Sequence, residues 1–143
     1  MKNILVLCTG NSCRSQIAHG WLNHYTDSSK VNVYSAGIET HGLNPMAIKT
    51  MNEIGLDISH HKSNLISDYT KIQFDFIITV CDNAKESCPI YLSKNSKNSK
   101  KIHQNFSDPS KAKGDINKIK NAFKKSREEI RDFCKKFVLK NLI

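Results

Sequence analysis

Asn3-Ile4-Leu5-Val6-Leu7 running directly into Cys8-Thr9-Gly10-Asn11-Ser12-Cys13-Arg14-Ser15 is the stretch that decides the fold. The first five residues are an apolar run of strand length. From about Ser15 onward, Ile17, Ala18, Trp21, Leu22 and Tyr25 recur at helical spacing. Between strand and helix lies a short loop with one Gly and one Asn, the residue types that best tolerate positive φ. Successive N–H groups in such a turn point inward and form an anion nest. The helix N-terminus behind it adds roughly half a positive charge. A tetrahedral oxyanion can bind at such a junction and be attacked there.

Each side chain of the run has a task in that chemistry. Thr9, Gly10, Asn11, Ser12, Cys13 and Arg14 form the expected oxyanion cradle. A Cys8 thiolate would sit among these donors, which should lower its pKa and free it as a nucleophile near neutral pH. Arg14 can grip two oxygens with its planar fork, which a lysine could not do. Ser15 is expected to donate a hydrogen bond to the thiolate. Cys-x5-Arg alone is a weak signal; the preceding strand, the following Ser and the helix beyond give it weight.

Composition narrows the classes. A chain of 143 residues with 38% hydrophobic residues fits one compact domain, residues 1–143, with a single core. No apolar run approaches the roughly 20 residues of a membrane span. The opening Met1-Lys2-Asn3-Ile4-Leu5-Val6-Leu7-Cys8 is too short for a signal h-region, and Leu7 is not the small residue a cleavage site wants. A cytoplasmic protein is expected. Five cysteines, an odd number, without an export signal point to reduced thiols with chemical roles.

The net charge of +9 is unevenly spread. Residues 1–92 carry seven Lys/Arg against eight Asp/Glu, and residues 93–143 carry fifteen against five. A basic half raises nucleic acid as a partner. However, the phenylalanines there follow helical spacing and so face a core, and the lysines read as a solvated face. Neither nucleic acid nor membrane is expected as a partner.

Strand and helix signals then alternate. Residues 31–36 and 74–81 read as strands, 101–106 as a short strand, and 45–54 as a helix opened by Pro45 and stopped by Gly55. Residues 57–69 show no clear period. Residues 115–138 place Ile116, Ile119, Phe123, Ile130, Phe133 and Phe137 on one helical stripe. The order implies an α/β fold: a central, mostly parallel, four-stranded sheet with helices on both faces. Ligands of such sheets bind beyond the carboxyl ends of the strands, where strand order reverses. Cys8, Cys81 and Asp108 each follow an apolar strand, so all three could gather at that edge.

Cys81-Asp82-Asn83-Ala84-Lys85-Glu86-Ser87-Cys88-Pro89 is the second constellation. A disulfide needs Cα atoms within roughly 7 Å. Seven residues of helix separate them by about 10 Å, and an extended segment by about 23 Å. The pair closes only if the segment bends back, so a partly helical reduced form and a looped oxidised form are expected. Two unrelated thiols are the alternative. Zinc is disfavoured because Cys8, Cys13, Cys81 and Cys88 contain no short Cys-x2-4-Cys knuckle. Asp108-Pro109 is the third piece, a loop carboxylic acid able to protonate an oxygen that leaves as Cys8 attacks.

The loop from Cys8 to Ser15 with a late Asp108-Pro109 resembles the low-molecular-weight tyrosine phosphatase superfamily. Tyr34-Ser35-Ala36-Gly37-Ile38-Glu39-Thr40-His41-Gly42, Asn44-Pro45 and the stretch from Cys81 to Pro89 resemble its thioredoxin-coupled arsenate reductases. The resemblance implies that Cys8 attacks arsenate, that Cys81 and then Cys88 carry a disulfide cascade, and that thioredoxin reduces the product. It implies catalytic roles for Cys8, Arg14, Ser15, Cys81, Cys88 and Asp108. It also implies phosphate or sulfate as competing anions, no cofactor and a monomer. Ser110 stands where phosphatases usually carry an aromatic residue, which weakens phosphotyrosine as a substrate. A phosphatase acting on phosphotyrosine or small aryl phosphates remains the alternative, and a redox sensor without turnover is a third class. Some members bind potassium through the loop Asn and an acidic residue on the first helix. Here Asn11 matches, but His19 holds the second position, and no metal is expected.

Overall fold

The computed structural model describes residues 1–81 and 98–142. The chain opens with β1 (Lys2–Cys8), α1 (Arg14–Tyr25), β2 (Val31–Gly37) and α2 (Pro45–Asn52). It continues with a 3₁₀ turn (Ile66–Tyr69), β3 (Phe76–Thr79), β4 (Lys100–His103), a second 3₁₀ turn (Pro109–Lys111) and α3 (Ile116–Asn141). The strands form one sheet in the order β2-β1-β3-β4, with every pair parallel. Strand order therefore reverses beside β1, and the Cys8 loop leaves the sheet at that switch point.

Burial explains why β1 reads as an unbroken apolar run. Ile4, Leu5, Val6 and Leu7 are all 0–1% exposed, so both faces of this central strand are covered. On one face the three helices pack together. Phe76 of β3 meets Phe137 of α3 edge-on, and the indole N–H of Trp21 in α1 donates to the Arg127 carbonyl of α3. On the other face Tyr34 packs against Tyr69 of the first 3₁₀ turn and against Phe74.

Capping follows the sequence signals. Asn44 accepts hydrogen bonds from the Met46 and Ala47 N–H groups with Pro45 in the first turn of α2, and Asp115 caps α3 through Lys118 N–H. Three details differ from the sequence reading. β3 is four residues long, although Phe74 is buried beside it. β4 begins at Lys100 and ends at His103; beyond it Gln104 and Phe106 N–H still bond to Thr79 and Val80 carbonyls. Ile116 is exposed at the start of α3, while the buried stripe runs through Phe123, Ile130, Cys134, Phe137 and Val138. Among the described residues no helix is long and apolar enough to cross a membrane. The expected partial helix after Cys81, Cys88 itself and most of the expected Ser/Lys loop lie outside the described residues.

Candidate active site

The loop between β1 and α1 is held from outside by its own carbonyl groups. Thr9 C=O accepts from Glu39 N–H, Gly10 C=O from His41 N–H and Ser63 Oγ, and Ser12 C=O from Asn44 N–H, all at 3.0 Å. In a trans peptide the N–H points opposite to its C=O. With those carbonyls turned out, the N–H groups of Gly10, Asn11 and Cys13 turn in, as an anion nest requires. Asn11 takes the single left-handed non-glycine conformation among the described residues, with φ of 46°. Gly37 ends β2 against this loop: a Cβ there would lie 2.5 Å from Glu39 O and 2.7 Å from Asn11 N. Cys13 caps α1 without a side-chain hydrogen bond, so no side chain competes for its first N–H groups.

The nest opens into a cavity of about 320 Å³ lined by Cys8, Thr9, Gly10, Ser12, Cys13 and Arg14 on one side and by His41, Asp108, Ser110 and Lys111 at the rim. Arg14 is fixed by a hydrogen bond to the Phe106 carbonyl (3.0 Å) and by Asp108 at 3.6 Å. Its Nε is buried with no hydrogen-bond partner among the described residues. A buried, unpaired guanidinium donor at an anion nest fits an oxyanion ligand. Asp108 is the only carboxylate among the lining residues; its other oxygen accepts from Ser110 N–H and Oγ, which pins the side chain at the rim.

Cys8 and Cys81 lie side by side. Both are buried, Cys81 is the neighbour that acts most strongly on the Cys8 thiol, and Thr9 Oγ1 lies 3.3 Å from Cys81 Sγ. Cys81 and then burial push the Cys8 thiol up, against the downward pull of Arg14 and of Thr9 N–H. The sequence reading of a lowered Cys8 pKa is thus reversed, because the nest's donors are outweighed by a second thiol and by desolvation. Cys13 lines the cavity, and burial, followed by the Asp108 charge, pushes its thiol up to about 12. Cys134 is fully buried in α3, far from this chemistry.

Ser15 has a different partner from the one expected. Its hydroxyl donates to Asn11 Oδ1 (2.8 Å), in the loop four residues back, and not to the thiol. Gln16 Nε2 donates to Asn11 O, Asn11 Oδ1 and Lys62 O, while Asn11 Nδ2 donates to Ser35 O. Behind them His19 stacks on His61 with ring centroids 4.2 Å apart, bonded to Ser35 Oγ and Gln16 Oε1 respectively. This layer does not fit potassium: the Asn11 oxygen is already held by two donors, and an imidazole that burial drives to about 3 supplies no negative charge. His41, Lys111, Gln16 and Ser35 were not assigned roles from the sequence. The packing of His41 against Gly10 shows only once β2 lies beside β1.

The sequence matches the low molecular weight phosphotyrosine protein phosphatase family over residues 3–142. The chain belongs to that family. Within it, the chain is 46% identical over 136 residues to an arsenate reductase of Shouchella clausii, covering 95% of this chain and 94% of the relative. It is 44% identical over 139 residues to an arsenate reductase of Staphylococcus aureus, covering 97% and 98%. Among solved structures, an arsenate reductase in the phosphate binding state aligns with a TM-score of 0.72 at 26% identity, covering 98% of both chains. An arsenate reductase in the oxidized state aligns at 0.78 and 25%, again covering 98% of both. These two solved structures share the fold described above.

Proposed function

We propose that this chain reduces arsenate to arsenite with its own thiols and is recycled by thioredoxin. The observation that carries the reading is the buried Cys81 thiol beside Cys8, which lines an oxyanion cavity. Phosphoester hydrolysis needs one nucleophile and no second thiol beside it, whereas two-electron reduction needs a thiol placed to attack the first. The arsenate reductases to which the chain is 44–46% identical support the same reading.

In this reading the nest N–H groups and Arg14 hold HAsO4²⁻. As Cys8 attacks arsenic its thiol proton passes, by way of the Asp108 carboxylate, to the oxygen whose As–O bond breaks and which leaves as water. Cys81 then attacks Cys8 Sγ. The S–As bond breaks with its electron pair going to arsenic, arsenite departs, and a Cys8–Cys81 disulfide remains. Cys88 attacks Cys81, freeing Cys8 and leaving Cys81–Cys88 for thioredoxin. Ser15 acts through Asn11 by holding the nest in shape. Phosphate and sulfate compete for the same seat. One chain supplies every group named, so the proposed unit is a monomer, working in the reducing cytoplasm.

The test is a thiol count and disulfide map on the fully reduced protein given arsenate alone, with phosphate as control. Loss of two thiols, a Cys81–Cys88 bridge and about one arsenite per chain are expected from the cascade. Five intact thiols and no arsenite would overturn the reading. Cys88→Ser separates the phosphatase alternative, since it should stop arsenate turnover and spare any hydrolysis of an aryl phosphate.

A further inference from the structure

His41 stands at the rim of the cavity with its two ring nitrogens in different settings. Nε2 lies 2.6 Å from Glu39 Oε2. A carboxylate only accepts, so Nε2 carries the hydrogen, and in the neutral ring Nδ1 is left as a lone-pair acceptor. That Nδ1 edge packs against Gly10 of the loop, where a Cβ would run into Nδ1 and Cγ. Among the described residues Nδ1 has no hydrogen-bond partner, and the ring lines the cavity. The imidazole also moves with the loop, because Glu39 and His41 N–H are bonded to the Thr9 and Gly10 carbonyls.

Among the described lining groups the nest N–H groups, Arg14 and Lys111 only donate, while the hydroxyls of Thr9 and Ser12 both donate and accept. Asp108 is an acceptor, but Arg14 and Ser110 occupy its oxygens. In this tautomer His41 Nδ1 is the lining group among the described residues that accepts without donating and has no partner.

We propose that His41, oriented by Glu39, is a specificity residue that accepts a hydrogen bond from the hydroxyl of a protonated tetrahedral oxyanion. It would favour arsenate and phosphate, which keep an O–H at neutral and mildly basic pH, over sulfate, which has none. Glu39 is a positioning residue that sets the tautomer. The proposal rests on reading the cavity as an oxyanion seat and adds which oxyanions that seat prefers.

The experiment titrates the reduced protein with inorganic phosphate and, separately, with sulfate at pH 8, where both are dianions and differ in the O–H. Binding is followed by the amide NMR shifts of the loop. The wild type should prefer phosphate. His41→Ala should weaken phosphate by roughly two- to tenfold, the size of one neutral hydrogen bond, and leave sulfate within about twofold of wild type by the same argument. Glu39→Ala, which leaves the ring in place and frees its tautomer, should lower the phosphate-to-sulfate preference in the same direction by a smaller factor. His41 is 54% exposed, so its truncation leaves no cavity in the core, and a thermal melt of each variant checks the fold. A wild type without preference, or equal weakening of both anions by His41→Ala, overturns the proposal. Failure of arsenate reduction is a separate outcome: the selectivity change can hold without turnover, and turnover can hold without the selectivity change.

Discussion

At the scale of single residues, Asn11 carries more of the site than its place in the motif suggests. It sits at φ 46° and exchanges hydrogen bonds with Ser15, Gln16 and Ser35, all buried. Asn11→Ala should therefore lose two things. The left-handed backbone costs a Cβ residue about 1 kcal/mol, and the abandoned buried partners cost about 1–3 kcal/mol more. Asn11→Gly should recover the backbone share and not the hydrogen bonds, and so fall between wild type and alanine in urea unfolding. Glycine as destabilising as alanine would show that the backbone conformation contributes nothing. The cradle from Cys8 to Arg14 was legible because its residues are consecutive, and a nest is a local object. Ser15 was assigned to the thiol because sequence gives proximity and not direction: its true partner lies four residues back, in the loop before α1. His41 and Lys111 reach the cavity through tertiary packing, which no spacing announces.

At the scale of elements, α3 is tied to α2 by one buried cation. Arg127 is 4% exposed; its NH1 donates to Thr50 O at 2.8 Å and meets Glu53 at 3.4 Å, while NH2 meets Glu128 at 3.4 Å. The helical stripe predicted from residues 115–138 left this position out, because periodicity ranks residues by hydrophobicity and cannot see a charged side chain whose partners lie on another helix. The same limit covers Ile116, apolar and in register yet exposed, since periodicity does not say how far along its length a helix is covered. Arg127→Met should cost about 1.5–3 kcal/mol, the value of hydrogen bonds to a charged group. Phosphate affinity should stay within about twofold of wild type, less than the loss of one hydrogen bond, because Arg127 contributes nothing to the cavity lining. Urea unfolding and the phosphate titration together check this. A large loss of anion binding would mean that the α2–α3 junction positions the loop.

At the scale of the whole molecule, the parallel sheet puts the carboxyl ends of β1, β3 and β4 on one edge, where Cys8 and Asp108 line one cavity and Cys81 lies buried beside Cys8. The same edge is backed by the His19–His61 stack, and this makes the fold's stability depend on pH. Burial first, and then neighbouring histidines, lower His19 from 6.5 to about 3 and His61 from 6.5 to about 4. Above pH 6.5 both rings are neutral in the folded and unfolded chain alike, and no proton is exchanged on unfolding. Below it the unfolded chain takes up protons that the folded chain refuses, so stability falls as pH drops from 6.5 toward 4. The slope is at most about 1.4 kcal/mol per pH unit for each histidine, and less for these half-buried rings, which solvent screens in part. Replacing His61 with Gln, which still offers an amide to Gln16, should flatten this limb while leaving stability at pH 8 nearly unchanged. The check is urea unfolding of both proteins at half-unit steps between pH 4 and 8. Parallel curves would show that the acid sensitivity comes from carboxylates elsewhere, and that the stacked pair behind the nest titrates no differently folded than unfolded.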